Sequence, residues 1–208
     1  TVNLDRGGDI VDASFGRHNL AYLTPNGYEP PNPAYHRDAE WLAGWPGGLL
    51  TTCGPGYIGA PRSEDGVETS LHGHHSNTPA MVEVLLNPDP RRGRHEMLLS
   101  MVIRDARTFG PILETRRQIQ CLLGEPAIQI YDQVTNLGDR PAAHNLLYHV
   151  NLGYPLLDAG AQLLYRGAAH LVGDGPAPSA EAMNTFKQVP DHDPEHVGSG
   201  ERVVVVEV

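Results

Sequence analysis

From Met81 to Leu152 the chain is a series of apolar-rich segments cut at short intervals by turn residues. No other feature constrains the fold as strongly. Met81–Leu86 stops at Asn87-Pro88-Asp89-Pro90, a turn. Glu96–Arg104 (EMLLSMVIR) and Ile112–Leu122 (ILETRRQIQCL) flank Phe109-Gly110-Pro111. In Ala127–Asn136, Ile128, Ile130, Asp132 and Val134 share one face, and Gln129, Tyr131, Gln133 and Thr135 share the other. That period of two belongs to a strand with one covered side. Asn136-Leu137-Gly138-Asp139 makes the next turn, and His144–Leu152 (HNLLYHVNL) the next strand. Short connections of this kind join antiparallel neighbours, so the pattern predicts a β-meander. Evenly spread glycines (23) and prolines (18) rule out long helices, and no strand alternates with a long helical segment. The expected fold is all-β, a large antiparallel β-sandwich or open barrel.

A chain of 208 residues, 40% hydrophobic and 19% charged, has the length and composition of one globular domain, here residues 1–208. A net charge of −10 opposes a nucleic-acid partner, because phosphate is repelled by an acidic surface. No apolar run reaches the roughly 20 residues of a membrane helix, and no signal peptide opens the chain. Cys53 and Cys121 form neither a CxxC pair nor a zinc spacing. Both lie in apolar stretches and read as buried, inert thiols in a reducing, cytoplasmic setting. Two stretches break the strand pattern. Tyr28–Trp45 is rich in proline and aromatics, and Gly173–Gly200 is a polar excursion. Loops of that length inside a compact domain usually carry function. Arg202–Val208 (RVVVVEV) reads as a final strand.

Chemistry concentrates in SLHGHHSNTP, Ser70–Pro79, where His72, His74 and His75 cluster. Were this stretch a strand, His72 and His74 would share a face, as in half of a metal site. Gly66 completes a G-x5-H-x-H spacing, the opening of a cupin motif. The glutamate that motif requires next is replaced by Thr78 or Pro79, and its second half is absent, so no metal is assigned. The competing reading is proton transfer, for which neutral imidazole is suited near pH 7. A second candidate, His149, shares a strand face with Leu147 and Asn151. A polar pair on one face of a central strand is costly unless that face lines a hydrated cavity. Asp191, Asp193 and Glu195, in PDHDPEHV, read as a solvated acidic loop.

Four segments in order carry a resemblance. Arg6-Gly7-Gly8-Asp9-Ile10 is followed by Gly47–Gly54 (GGLLTTCG), then by Ser70–Ala80 (SLHGHHSNTPA) and Val134–Pro155 (VTNLGDRPAAHNLLYHVNLGYP). Together they resemble the aldose 1-epimerase, or galactose mutarotase-like, superfamily and most closely an uncharacterised bacterial branch of it. The resemblance covers essentially the whole chain. It implies a sandwich whose C-terminal strands, with the general base, lie beyond residue 208. It implies that His72 contacts the sugar and that His149 is the general acid on the ring oxygen. Asn77 and Asn151 would neighbour sugar hydroxyls. Arg6 and Asp9 match the branch's opening motif, with a structural salt bridge as the equal alternative. His74 and His75 fall where the superfamily varies and are expected at the pocket rim or in solvent. Trp41, Trp45 and Tyr148 would offer apolar faces to a sugar, although core packing is the commoner role of any one aromatic residue.

The implied activity is interconversion of sugar anomers by acid–base catalysis, with a small sugar or sugar derivative as partner and neither metal nor organic cofactor. Two other readings stay open at this point. One is a carbohydrate-binding sandwich without catalysis, and the other a metal-dependent sugar isomerase.

Overall fold

The computed structural model describes residues 1–32, 35, 37–64, 67–172, 186–194 and 203–207. The meander forms as the alternation predicts. Four antiparallel strands lie in the order Ile128–Asn136, Ile112–Leu122, Glu96–Ala106, Ala80–Leu86. Their registers are continuous, with Arg117 opposite both Met101 and Asp132, apart from one irregularity between Val82 and Val84. Alternation within Ile112–Leu122 buries Leu113, Thr115, Arg117 and Ile119 and exposes Arg116, Gln118 and Gln120.

A second antiparallel sheet has the order Val2–Asn3, Asp9–Ile10, Leu50–Cys53, Leu147–Val150. Ile10 and Leu50 from this sheet pack with Met101, Ile103 and Ile119 from the first. Burying each such side chain contributes roughly 1.5–3 kcal/mol. The result is an all-β sandwich. The strand expected over His144–Leu152 is shorter, Leu147–Val150, because Asn145 turns back to donate its backbone N–H to Pro55. Cys53, the last residue of its strand, is fully buried, and burial pushes its thiol up to about 12.

At the centre lies a charged network that the strand pattern alone leaves unannounced. Arg117 is 0% exposed and grips Asp132 through both carboxylate oxygens, Nε to Oδ1 at 2.9 Å and Nη2 to Oδ2 at 2.7 Å. Its Nη1 donates to Thr52 Oγ1 at 2.9 Å and to the Gly7 carbonyl at 3.2 Å. Asp9 stands 3.7 Å from the same Nη1 and accepts the Thr52 backbone N–H at 2.9 Å. Tyr148 donates its hydroxyl to Asp132 at 2.9 Å. Asp9 therefore has its ion pair with Arg117 rather than with Arg6.

The described residues divide into two compact units, Thr1–Gly153 and Tyr154–Val208. In the second, the expected terminal strand forms over Val203–Val206 and pairs antiparallel with Ala169–Val172. Tyr165 stacks on Phe186, with ring centroids 5.8 Å apart. Most of the excursion read over Gly173–Gly200 lies outside the described residues, as do Gly66 and Glu195. Asp191 and Asp193 are exposed. Among the described residues no helix is long and apolar enough to cross a membrane.

Candidate active site

His72 does not lie on a strand. It occupies a turn with φ of +60°, left-handed and strained for a residue with a side chain. Three backbone hydrogen bonds hold the turn: His72 N–H to Gly59 O at 3.0 Å, Gly54 N–H to His72 O at 2.9 Å, and His74 N–H to Gly54 O at 3.0 Å. Gly73, at φ +77°, follows because nothing larger fits. A Cβ there would stand 2.5 Å from the Tyr57 carbonyl and 2.6 Å from that of Gly54. The turn breaks the HxH alternation. His72 faces Trp41 and His149, whereas the ring of His74 lies 3.4 Å from the Arg107 guanidinium.

His149 arrives from the other side. Its strand, Leu147–Val150, pairs with Leu50–Cys53 so that His149 opposes Thr51. Thr51 Oγ1 accepts the indole N–H of Trp45 at 2.9 Å, and the Trp45 ring lies edge-on to His149 at 5.9 Å. Trp41 stacks on Trp45 at 5.6 Å and meets His72 edge-on at 5.3 Å. The imidazoles of His72 and His149 are themselves edge-on at 6.0 Å. Two histidines 77 positions apart in sequence thus share a wall with two tryptophans. Both are half-buried, and His149 Nδ1 is buried with no hydrogen-bond partner among the described residues.

The tryptophans come from Asp38–Gly44, a 3-10 helix inside the stretch read as a long structured loop, and from Trp45 just after it. Trp41 is 5% exposed and anchors its indole N–H on Ser76 Oγ, so it is chiefly a packing residue. Trp45 is half-buried and flanked by the exposed Tyr22 at 6.4 Å. Tyr22 carries no local signal; only the fold sets it beside Trp45.

The remaining sequence-derived residues are placed as follows. Arg6, 3% exposed, donates Nε to the Glu29 carbonyl and Nη1 to Asn77 Oδ1, each at 3.0 Å. Asn77 ends the short 3-10 helix His75–Asn77 that follows the His72 turn. Asn151 lies past the end of its strand, and its amide donates to the Gly48 and His149 carbonyls at 2.9 and 3.1 Å. Its visible work is to tie His149 to Gly48, in the segment that leads into the neighbouring strand. Asp9 and Tyr148 belong to the Arg117 network.

His75 corrects the expectation of a rim or solvent position. It is 1% exposed, and its Nε2 donates to the Gly7 carbonyl at 3.2 Å. Burial, with Arg117 nearby, pushes its pKa down to about 3, so the ring is neutral at any ordinary pH. Gly7 is glycine for the same reason, since a Cβ there would lie 2.5 Å from the His75 carbonyl and 2.6 Å from its ring. The first and third motifs of the sequence are therefore packed against each other.

No curated protein matches this sequence. The fold is similar to the 1.90 Å crystal structure of a "putative aldose 1-epimerase" from Klebsiella pneumoniae subsp. pneumoniae MGH 78578, with a TM-score of 0.66 and 24% identity. The match covers 82% of this chain and 43% of that one, so this chain spans less than half of the other's length. At that identity the likeness is one of fold. The family described as Domain of unknown function (DUF4432) matches residues 1–208, and the chain belongs to it.

Proposed function

We propose that the His72–His149 wall is the acid–base half of a carbohydrate epimerase that interconverts sugar anomers. The observation that carries the proposal is the convergence of two half-buried imidazoles, one with an unpartnered buried nitrogen, on an aromatic wall. An orphaned buried polar atom asks for a partner, and a sugar oxygen would supply one. The epimerase-like fold supports the same reading.

Anomer exchange opens a cyclic hemiacetal. A base removes the anomeric hydroxyl proton as an acid protonates the ring oxygen. The bond between C1 and the ring oxygen breaks, and the new carbonyl at C1 presents its other face when the ring closes. With centroids only 6.0 Å apart, the two imidazoles touch each other and leave no room for a sugar between them. The sugar must lie against the pair. His149 then gives its proton to the ring oxygen, and His72 hydrogen-bonds a neighbouring oxygen. Asn151 braces His149 from behind through its carbonyl, Asn77 is placed to neighbour a sugar hydroxyl, and Trp45 offers an apolar edge to the sugar's C–H face. The base must approach from the opposite face of the ring. A positioned proton donor of this kind contributes about 10²–10⁴ in rate.

The test is NMR exchange spectroscopy on aldoses and uronates, with and without protein. Accelerated α/β exchange for a sugar, lost in His149→Ala with sugar binding retained, supports the epimerase. Binding without exchange by the wild type points to a carbohydrate-binding sandwich instead. Neither binding nor exchange on any sugar refutes the reading.

A further inference from the structure

The aromatic wall does not end at Trp45. Four rings stand in a row, with centroids 6.0 Å apart from His72 to His149, 5.9 Å from His149 to Trp45 and 6.4 Å from Trp45 to Tyr22. Exposure rises at the far end of that row. The two imidazoles and Trp45 are half-buried, and Tyr22 is 43% exposed. A single exposed aromatic residue on a protein surface needs no explanation. This one differs because it is the open end of a contiguous row that starts at the candidate proton donor.

The backbone fixes Tyr22 from both sides. Its N–H donates at 3.1 Å to the carbonyl of Asn151, two residues past His149, and its own carbonyl accepts the Gly48 N–H at 2.6 Å. Leu23 forms an antiparallel bridge with Gly47. Thr24 is bound twice to the Trp45 segment, by its N–H to the Pro46 carbonyl at 3.0 Å and by its hydroxyl to the Trp45 carbonyl at 2.7 Å. Gly47, at φ +79°, admits this approach, since a Cβ there would stand 2.5 Å from the Tyr22 carbonyl. Tyr22 is thus tied to the chain that carries His149 and to the chain that carries Trp45. An aromatic side chain on a backbone held this way loses little freedom when a ligand covers it.

Resting on the epimerase reading above, we infer that Tyr22 and Trp45 form a second sugar subsite, and that the substrate is the reducing end of a disaccharide or longer glycan. The reacting ring lies against the two histidines. Tyr22 stands one ring further out, beyond Trp45, so a single sugar held at His149 leaves it uncovered. A second pyranose, joined to the first through a hydroxyl other than the anomeric one, leaves C1 free to open and brings its own C–H face to Tyr22. The negative face of an aromatic ring takes such C–H groups, and the tyrosine hydroxyl stays at the wet rim with the sugar hydroxyls.

The experiment compares matched pairs, glucose with maltose and cellobiose, galactose with galactobiose, and galacturonate with digalacturonate, in exchange kinetics and in saturation-transfer binding. For the wild type, a disaccharide should exceed its monosaccharide by about threefold or more in kcat/KM, through KM rather than kcat, because Tyr22 touches no reacting atom. Tyr22→Ala should abolish that preference, and Tyr22→Phe, which keeps the ring, should keep it. Tyr22→Leu replaces the alanine variant if that one fails to fold. Wild-type exchange without the preference overturns the inference, leaves the epimerase standing and needs no variant. A preference that survives loss of the ring, or that Tyr22→Phe loses, overturns it in either assay. If no sugar undergoes exchange, the epimerase reading falls and the binding arm decides. Disaccharide-selective binding that depends on the Tyr22 ring sustains the subsite, and unselective or absent binding overturns it.

Discussion

Replacing Arg117 with methionine removes a buried cation from between two carboxylates. Asp132, with its side chain 3% exposed, loses both of its guanidinium hydrogen bonds and keeps that of Tyr148. Asp9, 6% exposed, keeps the Thr52 N–H but loses its counter-charge at 3.7 Å. Breaking a buried ion pair from one side costs about 3–5 kcal/mol, because the remaining charge stays buried and unpaired. A domain stable by roughly 5–15 kcal/mol is brought close to unfolding by that loss. Arg117→Met should therefore lose about 4 kcal/mol in urea titrations followed by tryptophan fluorescence at neutral pH. The double variant Arg117→Met/Asp132→Leu removes both charges and should recover at least half of the loss. The sign with pH follows from the carboxylates. Asp9 already titrates high, at about 7, because of burial. Without Arg117 its ionisation becomes costlier still, so the deficit of the single variant should shrink as pH falls from 8 to 5. A single-variant loss below about 1 kcal/mol, or a double variant as unstable as the sum of the two singles, would refute the argument that this pair is a desolvated network.

Three further outcomes follow from the same geometry. His75 is held neutral with its pKa down at about 3, against 6.5 in the unfolded chain. Its contribution is fully present above pH 6.5 and is lost as pH falls toward 3. His75→Gln should thus show a shallower acid decline than wild type between pH 6.5 and 4, by up to about 1.4 kcal/mol per pH unit, in urea titrations at stepped pH. Gly73→Ala forces a Cβ against two carbonyls at a left-handed φ and should cost about 2 kcal/mol or more. It should also weaken sugar binding by displacing His72; an unchanged melting temperature would count against the tight turn. Thr51→Val deletes the acceptor of the Trp45 indole, so it should change stability by only about 1–2 kcal/mol yet shift the Trp45 fluorescence and weaken sugar binding.

Much of the fold was legible because strand alternation is a local signal. Ile112–Leu122 has the same limits in the structure as in the sequence reading, and its neighbours differ by one or two residues. The Arg117–Asp132 pair was also within reach. Asp132 lies on the apolar face of its strand, and the inward phase of Ile112–Leu122 puts Arg117 directly opposite. Alternation within a strand names that strand's faces, whereas the ion pair depends on the register between two strands. The rim position expected for His75 failed for another reason. Burial of a side chain in a turn depends on what docks there, and it is Gly7, 68 positions away, that closes over His75.

The sequence by itself determined the all-β class, the meander and the identity of the residues able to transfer protons. Those properties are carried by period-two patterning and by side-chain chemistry, which are local. Only the tertiary structure decided which of three adjacent histidines meets His149. It decided that Trp41 and Trp45 stand beside that pair, and that Arg6 is buried against the Glu29 carbonyl and Asn77. A left-handed turn at His72 and the docking of the Arg6–Ile10 segment set these relations. Both depend on backbone contacts between distant residues, which no local pattern encodes.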